Sequence, residues 1–331
     1  MTITKKNYNT ITIEPQVSVI IPNYNHALFL QQRIESILCQ TFHNFELIIL
    51  DDHSTDNSKK IIEMYRNHPK VSQIVYNTEN SGSTFKQWQK GIDLAKGEYI
   101  WIAESDDWCE PSLLETLVSK LELNKNIVLG YVQSYFIIDD KIMRVSKQDY
   151  LERIIDGSLF IKQHLLYRNA IFNASMAIFS KSAFYKIDNA YTDFKFCGDL
   201  LFWGMIASQG QVFISGKILN YFRKHSGDVS NGAYAIGLNY LEVIDVLSLF
   251  YQKNYIEESE FRSSLKSKYI DFILKKEKLT QNQILEIQNK FNEHIKINKY
   301  VKWIIILGRK SKKNIITTGR KCYKKIKMKF L

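Results

Sequence analysis

Four prolines and fourteen glycines are spread over 331 residues. No stretch therefore has the make-up of a long flexible linker, and no internal repeat or low-complexity block interrupts the chain. The four cysteines, Cys39, Cys109, Cys197 and Cys322, are too scattered for a zinc-type pair and too few for a disulfide scaffold. A reducing, cytoplasmic setting is the expectation. The opening MTITKKNYNTITIEPQ lacks the apolar core of an export signal. The longest strongly apolar runs, such as Trp303 to Leu307, fall far short of the roughly 20 residues of a membrane span.

What is present is an ordinary globular composition, 45% hydrophobic and 24% charged, with length for about two domains. The net charge of +11 is not shared along the chain. From Lys296 to Leu331 there are 13 Lys and Arg and no acidic residue, which leaves 32 basic against 34 acidic residues elsewhere. The positive charge belongs to a tail, and the body is slightly acidic.

Short apolar runs alternate with helical periodicity through the first 125 residues. VSVII (17–21) reads as a buried strand, and Leu28, Leu30, Ile34, Ile37 and Leu38 recur at helical spacing behind it. FELIILDD (45–52) predicts a second strand, with Ser54 or Thr55 capping the helix that follows. Val71–Tyr76 is a third strand, 84–95 a helix stopped by Lys96 and Gly97, and Tyr99–Ala103 a fourth strand. Pro111 opens the next helix. Such alternation implies a mostly parallel α/β sheet with helices on both faces. Beyond it, IVLGYVQSYFI and MAIFS read as strands, GDLLFWGMIASQG as a helix, and 139–157 as an excursion. After about residue 230 the periodicity is helical throughout. The expected domains are 1–227, an α/β unit, and 228–331, a helical region ending in a basic amphipathic tail.

Ligands of open parallel sheets bind beyond the carboxyl ends of the strands. Those ends carry Pro22, Asn23, Tyr24 and Asn25, then Asp51 and Asp52, then Asn77 to Ser81, then Glu104, Ser105, Asp106 and Asp107. All four clusters fall on one edge. Carboxylates crowded at a loop tip suit a hard divalent cation, because magnesium sites typically combine one or two carboxylates with substrate phosphates. Taken alone, the same acids read equally as solvated turns and helix caps. Asp199 alone reads as the N-cap of an apolar helix, and Lys86 as a solvated helix lysine.

VSVIIPNYNHALFLQQRIESILCQTFHNFELIILDDHSTDNS, followed by NSGSTFKQWQKGIDLAKGEYIWIAESDDW, closely resembles the N-terminal half of family 2 glycosyltransferases. The resemblance is strong over about 15–135 and weaker to about 230. It implies a GT-A fold, a Rossmann-like central sheet flanked by helices, here with a C-terminal helical extension. It implies an inverting transferase that moves a sugar from a nucleoside-diphosphate donor, most commonly a UDP-sugar, to a hydroxyl of a glycan or lipid-linked acceptor in cell-surface polysaccharide synthesis. Pro22 and Tyr24 match the segment lying against the nucleotide base. Asp52 matches the aspartate that accepts a hydrogen bond from the base, with Asp51 beside it. Ser105 and Asp106 fall on the D-x-D motif, where Asp106 matches the principal ligand of Mg2+ or Mn2+. Glu104 stands where the family commonly has Asp. Asp199, in CGDLLFW, matches the catalytic base. Arg223 and His225, in YFRKHSGDVS, match the stretch that closes over the donor diphosphate, and Lys86 lies toward the nucleotide.

The tail YVKWIIILGRKSKKNIITTGRKCYKKIKMKF interleaves lysines with apolar residues, a pattern suited to an anionic membrane surface. A peripheral protein on the inner face of the plasma membrane is the expectation; the alternative is a packed helix with a solvated lysine face. A nucleic-acid partner is not expected from a slightly acidic body without a recognition module. A dinucleotide-dependent oxidoreductase requires G-x-G-x-x-G after a strand, where this chain has PNYNHA. A nucleotidyltransferase of related fold would need a Gly-rich basic loop there. A non-catalytic sugar-nucleotide-binding protein is the remaining rival.

Overall fold

The computed structural model describes residues 14–146, 150–225 and 229–296. The basic tail expected at the membrane lies outside the described residues. The rest divides into two compact units, one ending at residue 228 and the other beginning at Val229.

The first unit runs β1 (Val17–Asn23), α1 (Ala27–Leu38), β2 (Phe45–Asp51), α2 (Ser58–Met64), β3 (Val71–Tyr76), α3 (Thr84–Leu94), β4 (Tyr99–Ile102), β5 (Trp108–Cys109) and α4 (Leu113–Leu123). It continues with β6 (Ile127–Ile138), β7 (Lys141–Val145), β8 (Glu152–Asp156), α5 (Gly157–Phe160), β9 (Ala177–Ser180), α6 (Lys181–Phe184), α7 (Gly198–Ala207) and β10 (Gln211–Lys224). Ten strands form one sheet in the order β3-β2-β1-β4-β9-β6-β10-β5. β1 to β4, β6 and β10 run one way, and β9 enters antiparallel between β4 and β6. The stretch 139–157, expected as an excursion, instead supplies two edge strands. β7 takes the edge of β6 beyond the reach of β9, and β8 pairs with the first half of β10.

Every residue of β1, β2 and β4 is buried. That explains their near-continuous apolar sequence, as both faces of a parallel sheet are covered by helices. Pro22 is tolerated because strand residues alternate in the direction of their N–H groups. Val17 N donates toward β2, so position 22 faces β4, whose pairing ends opposite Ile20. The switch in strand order falls between β1 and β4, where a crevice opens at the carboxyl edge.

α7 is buried almost all round and carries Phe202 and Trp203 into an aromatic cluster with Trp88 and Phe179. A helix that is apolar on every side belongs inside a core. β10 is the element that sequence periodicity left unassigned. Ser215, Gly216 and Lys217 interrupt its apolar pattern, and register shifts flank them between Ile214 and Ile218. The strand survives because its outer edge changes partner there, from β8 to β5.

The second unit holds α8 (Val229–Ile236), α9 (Leu238–Gln252), α10 (Glu258–Lys275) and α11 (Gln281–His294). Gly237, at φ +74°, breaks what the periodicity suggested was one helix. Glu257 with Glu260, and Thr280 with Gln283, form reciprocal caps on α10 and α11. Phe272 and Phe291 pack in its core, both fully buried. Among the described residues no helix is long and apolar enough to cross a membrane.

Gly97 passes so close to β1 that an added Cβ would sit 2.5 Å from Ser18 N and 2.7 Å from Val17 C. Both atoms are backbone and cannot swing aside. Gly97→Ala is therefore expected to cost about 1–3 kcal/mol, the usual penalty of overpacking. Urea unfolding should show a lower midpoint at unchanged slope. A midpoint equal to the wild type would mean the α3–β4 turn is free to move.

Candidate active site

The loops after β1 and β2 are stitched together by short polar side chains. Asn25 adopts the left-handed region at φ 56°, which an Asn accepts more readily than most residues. Its side-chain oxygen receives Thr55 N at 2.7 Å, and its own N–H donates to Ser54 Oγ at 2.9 Å. Ser54 and Thr55 are thus not the caps of α2 that the sequence suggested. Asp56 serves that end instead, accepting Ser58 N at 2.9 Å and Ala27 N at 2.8 Å, so one carboxylate ties the starts of α1 and α2.

Asp51 and Asp52 are both buried. Asp51 accepts from Asn23 Nδ2 at 2.8 Å and Ser54 N at 3.0 Å. Asp52 Oδ1 accepts from Asn77 Nδ2, Ser81 N and Gln87 Nε2 at 2.6, 2.9 and 3.0 Å. Its Oδ2 accepts from Ser81 Oγ at 2.7 Å and Asn80 Nδ2 at 3.2 Å. That carboxylate has its lone-pair directions occupied by its own chain. Pro22 is buried beneath, whereas Tyr24 stands exposed at the rim. Lys86 is exposed on α3.

The acidic loop after β4 separates into groups with different surroundings. Asp107, 1% exposed, accepts Ser175 Oγ at 2.6 Å, the Asn173 amide, and Arg223 N at 3.0 Å. Burial, and next the charge of Asp106, push its carboxyl well above the usual range. Glu104 accepts the Trp88 indole N–H at 2.9 Å. Burial drives its carboxyl up to about 8, with Asp106 adding to the shift and the Trp88 bond opposing it. Asp106 goes the other way. Burial would raise it, but the His225 hydrogen bond and the charge of His26 outweigh burial and hold it low.

Asp106 Oδ2 lies 3.1 Å from His225 Nε2, at the far end of β10. His26 comes in from the loop after β1, its Nδ1 2.8 Å from the buried Ser105 Oγ. The two imidazoles meet edge to face at 5.4 Å. One ligand atom each from His26, Asp106 and His225 lies within 4.8 Å of the others, close enough for one metal ion. Two imidazoles and a carboxylate form a mixed nitrogen and oxygen donor set, suited to first-row transition ions more than to the all-oxygen sites of Mg2+. Of the expected ligands, Asp106 belongs to this group. Glu104 is turned to Trp88 and does not. His26 was assigned no role from sequence; the available signal was a histidine just past the first strand, on the edge that collects ligands.

Arg223 is nearly buried, its guanidinium 4.4 Å from the ring of Phe29 and 4.5 Å from that of Trp108. One of its terminal nitrogens donates to Gln32 at 2.7 Å. Asp199 sits in the first turn of α7, behind Cys197 at the N-cap, so it is not the cap itself. Its Oδ2 accepts Asn169 Nδ2 at 2.9 Å and its Oδ1 accepts Leu200 N at 2.7 Å. Its charge reaches Glu104, two residues from Asp106. The structure thus brings Asp106, His225, Ser105 and Asp199 to one edge, with Tyr24 at the rim.

The family model for glycosyl transferase family 2 matches residues 18–188. The chain is 37% identical over 120 residues to the glycosyltransferase GlyG of Streptococcus pneumoniae, covering 36% of this chain and 40% of that protein. It thus spans well under half the length of that relative. It is 24% identical over 249 residues to the GalNAc(5)-diNAcBac-PP-undecaprenol beta-1,3-glucosyltransferase of Campylobacter jejuni, covering 70% and 74% of the two chains. Among solved structures, S. aureus TarS 1–349 in complex with UDP-GlcNAc superposes with a TM-score of 0.64 at 20% identity, over 85% of this chain and 82% of that one. The last likeness is one of fold, and the fold is the GT-A fold expected from the sequence.

The raised Glu104 carboxyl has a consequence for stability. Between about pH 4.5, its ordinary value, and about 8, the folded chain keeps a proton that the unfolded chain has released. Folding stability must then fall as pH rises through this window. In metal-free buffer, Glu104→Gln should make the stability difference between pH 5 and pH 8 smaller than in the wild type, as read by urea unfolding. An equal difference in both proteins would place the Glu104 titration elsewhere.

Proposed function

The chain belongs to glycosyl transferase family 2, and from that premise we propose that it transfers a sugar, with inversion, from a nucleoside-diphosphate donor to a hydroxyl of a glycan or lipid-linked acceptor. The observation that carries the reading is the grouping of Asp106 with its two histidines, and of Asp199 tied through Asn169 to the segment whose Asn173 holds Asp107. One group suits the departing diphosphate and the other suits the attacking hydroxyl. A UDP-sugar is the donor we favour, as TarS is solved with UDP-GlcNAc.

In this scheme Asp199 takes the proton from the acceptor hydroxyl as that oxygen attacks the anomeric carbon. Asn169, bonded to Oδ2 of Asp199, and Leu200 N, bonded to Oδ1, orient the carboxylate. General-base assistance of this kind is worth about 10²–10⁴-fold in rate. The exposed Tyr24 ring offers a face to the nucleotide base, over a floor made by Pro22. Asp52 orders the 77–87 segment that borders the base, and Asp51 orders the loop of Ser54. Lys86 and Arg223 place positive charge on the donor side, Arg223 clamped by its two aromatic neighbours. Ser105 holds the His26 ring. His26, Asp106 and His225 would hold a divalent cation, which would supply Lewis-acid stabilisation to the leaving diphosphate. Holding two substrates in line contributes much of the remaining acceleration.

The relative from Campylobacter acts on an undecaprenol-linked glycan, and we extend that acceptor class and a place in surface-polysaccharide synthesis to this chain. The composition of the basic tail, lysines interleaved with apolar residues, fits such work at an anionic leaflet.

Calorimetric titration of UDP with and without Mn2+ tests the donor side. Tight binding should require Mn2+ in the wild type, and Asp106→Ala and His26→Ala should each remove the Mn2+-dependent part. Metal-independent UDP binding of equal strength in all three would overturn the ligand set. Asp199→Asn should lower kcat about 10²–10⁴-fold while leaving the UDP Kd unchanged. Undiminished turnover would remove Asp199 as the base.

A further inference from the structure

A cavity of about 210 Å3 opens between β6, β7 and the segment 164–172, away from the residues assigned to the donor. Arg144, Arg168 and His164 line it together with Gln133, Ser146 and Phe172, and among the described residues no Asp or Glu does. This is the reverse of the body of the chain, where acids slightly outnumber bases. Among the described residues neither arginine has a carboxylate partner. The Arg144 guanidinium carbon lies 3.7 Å from the centre of the Phe136 ring and 5.5 Å from that of Phe172, two rings set nearly at right angles. Cation–π contact of that kind holds the positive charge at the cavity wall. Ser146 Oγ is locked between Ser134 N at 2.7 Å and Gln133 Oε1 at 2.8 Å, and Gln133 Nε2 is tied to Ser215 O at 2.8 Å, so the polar wall is built in advance.

The same segment serves the chemistry. Arg168, Ala170 and Phe172 line the cavity, while Asn169 between them donates to Asp199 and Asn173 donates to Asp107. One stretch of backbone thus offers one set of residues to the cavity and another to the reacting edge. The volume is below the roughly 300–1,000 Å3 of pockets that enclose a whole drug-sized ligand. It suits one charged group of a larger molecule.

We propose that this cavity is an acceptor subsite for a phosphate group, gripped by Arg144 and Arg168 beside the acceptor sugar. Paired guanidinium groups recognise phosphate with two-pronged hydrogen bonds. His164, whose imidazole is kept below its ordinary pKa by burial and then by the charge of Arg168, would add one neutral hydrogen bond. The inference rests on the reading of Asp199 as the residue that activates the acceptor. It narrows the acceptor to a phosphate-bearing one. The phosphate has two possible sources, the diphosphate of a prenyl-linked glycan or a phosphodiester within a polyol-phosphate chain.

The test uses the full chain saturated with UDP, so that the donor site cannot capture the probes. Isopentenyl diphosphate and glycerophosphoglycerol are titrated by calorimetry with Mn2+ in excess over UDP, the heat of each probe diluted into the same buffer being subtracted, with glycerol as the neutral control. At least one phosphate probe should bind in the millimolar range and glycerol should not; the tighter probe identifies the source. Arg168→Gln alone, and Arg144→Gln with Arg168→Gln, should weaken that binding tenfold or more and leave the UDP Kd within twofold. Arg168 is exposed, so its single variant keeps the test independent of any folding effect at Arg144. Binding of equal strength in the variants, or of neither probe to the wild type, would overturn the subsite. If UDP itself fails to bind, the donor reading fails, and the same titrations without nucleotide still decide the cavity.

Discussion

Like charges at the end of a buried strand impose the condition on which this site is built. Asp106 and Asp107 are adjacent in sequence, Glu104 is two residues away, and Asp51, Asp52 and Asp199 arrive at the same sheet edge. An isolated carboxylate out of water is costly, and one removed from its donors costs more than a neutral group would. Each acid must therefore be met by its own set of donors. Those donors come from segments far apart in sequence: Asn77, Ser81 and Gln87 for Asp52, Asn173, Ser175 and the Arg223 amide for Asp107, and Asn169 for Asp199. Satisfying the acids is thus the same event as fastening the loops. Beneath them the fully buried Arg33, 5.0 Å over the Trp101 ring, lowers the cost of Glu104 and Asp107 through charge.

The extent of that satisfaction sorts the acids by what they are able to do. A carboxylate with five donors, such as Asp52, gains nothing by exchanging one of them for a ligand; it orders the segment it holds. Asp107 is similarly committed to the wall. Asp106 is different, because the partners around it are imidazoles. Histidine can give up a proton and turn a nitrogen lone pair toward a cation, as a neutral amide nitrogen or a serine hydroxyl does much less readily. A low Asp106 carboxyl beside two histidines is an arrangement that accepts a positive ion without rebuilding its surroundings.

How much of this was legible in the sequence follows from how local each signal is. β1 to β4 are apolar runs with helical stretches between them, and local periodicity suffices for those. β9 is four residues long and enters antiparallel, and no periodic pattern distinguishes its place between β4 and β6. β10 was hidden by Ser215, Gly216 and Lys217, which read as a turn until the change of edge partner is known. The same holds for side chains. Asp106 and Asp199 were found through spaced motifs. His26 was not, because its role depends on β10 returning His225 to the switch point, a long-range pairing with no local trace. The displacement of Glu104 likewise depends on Trp88, which α3 brings across the sheet edge.

The long return of β10 also explains why Asp106 and Asp199 share one edge. Its parallel pairing with β6 carries Arg223 and His225 to the carboxyl side, beside Asp106. The Arg223 amide at the same point closes on Asp107, whose other oxygen is held by Asn173 and Ser175. Asn173 belongs to the segment that, four residues earlier, holds Asp199 through Asn169. A connected path of hydrogen bonds and backbone therefore runs from His225 through the acidic loop to the 169–173 segment, and from there to Asp199. Displacing β10 would disturb the His225 contact and the Asp107 anchor at once. Asp106 and Asp199 are thus kept in mutual register through the buried Asp107, and this is a physical reason for placing a buried carboxylate beside Asp106.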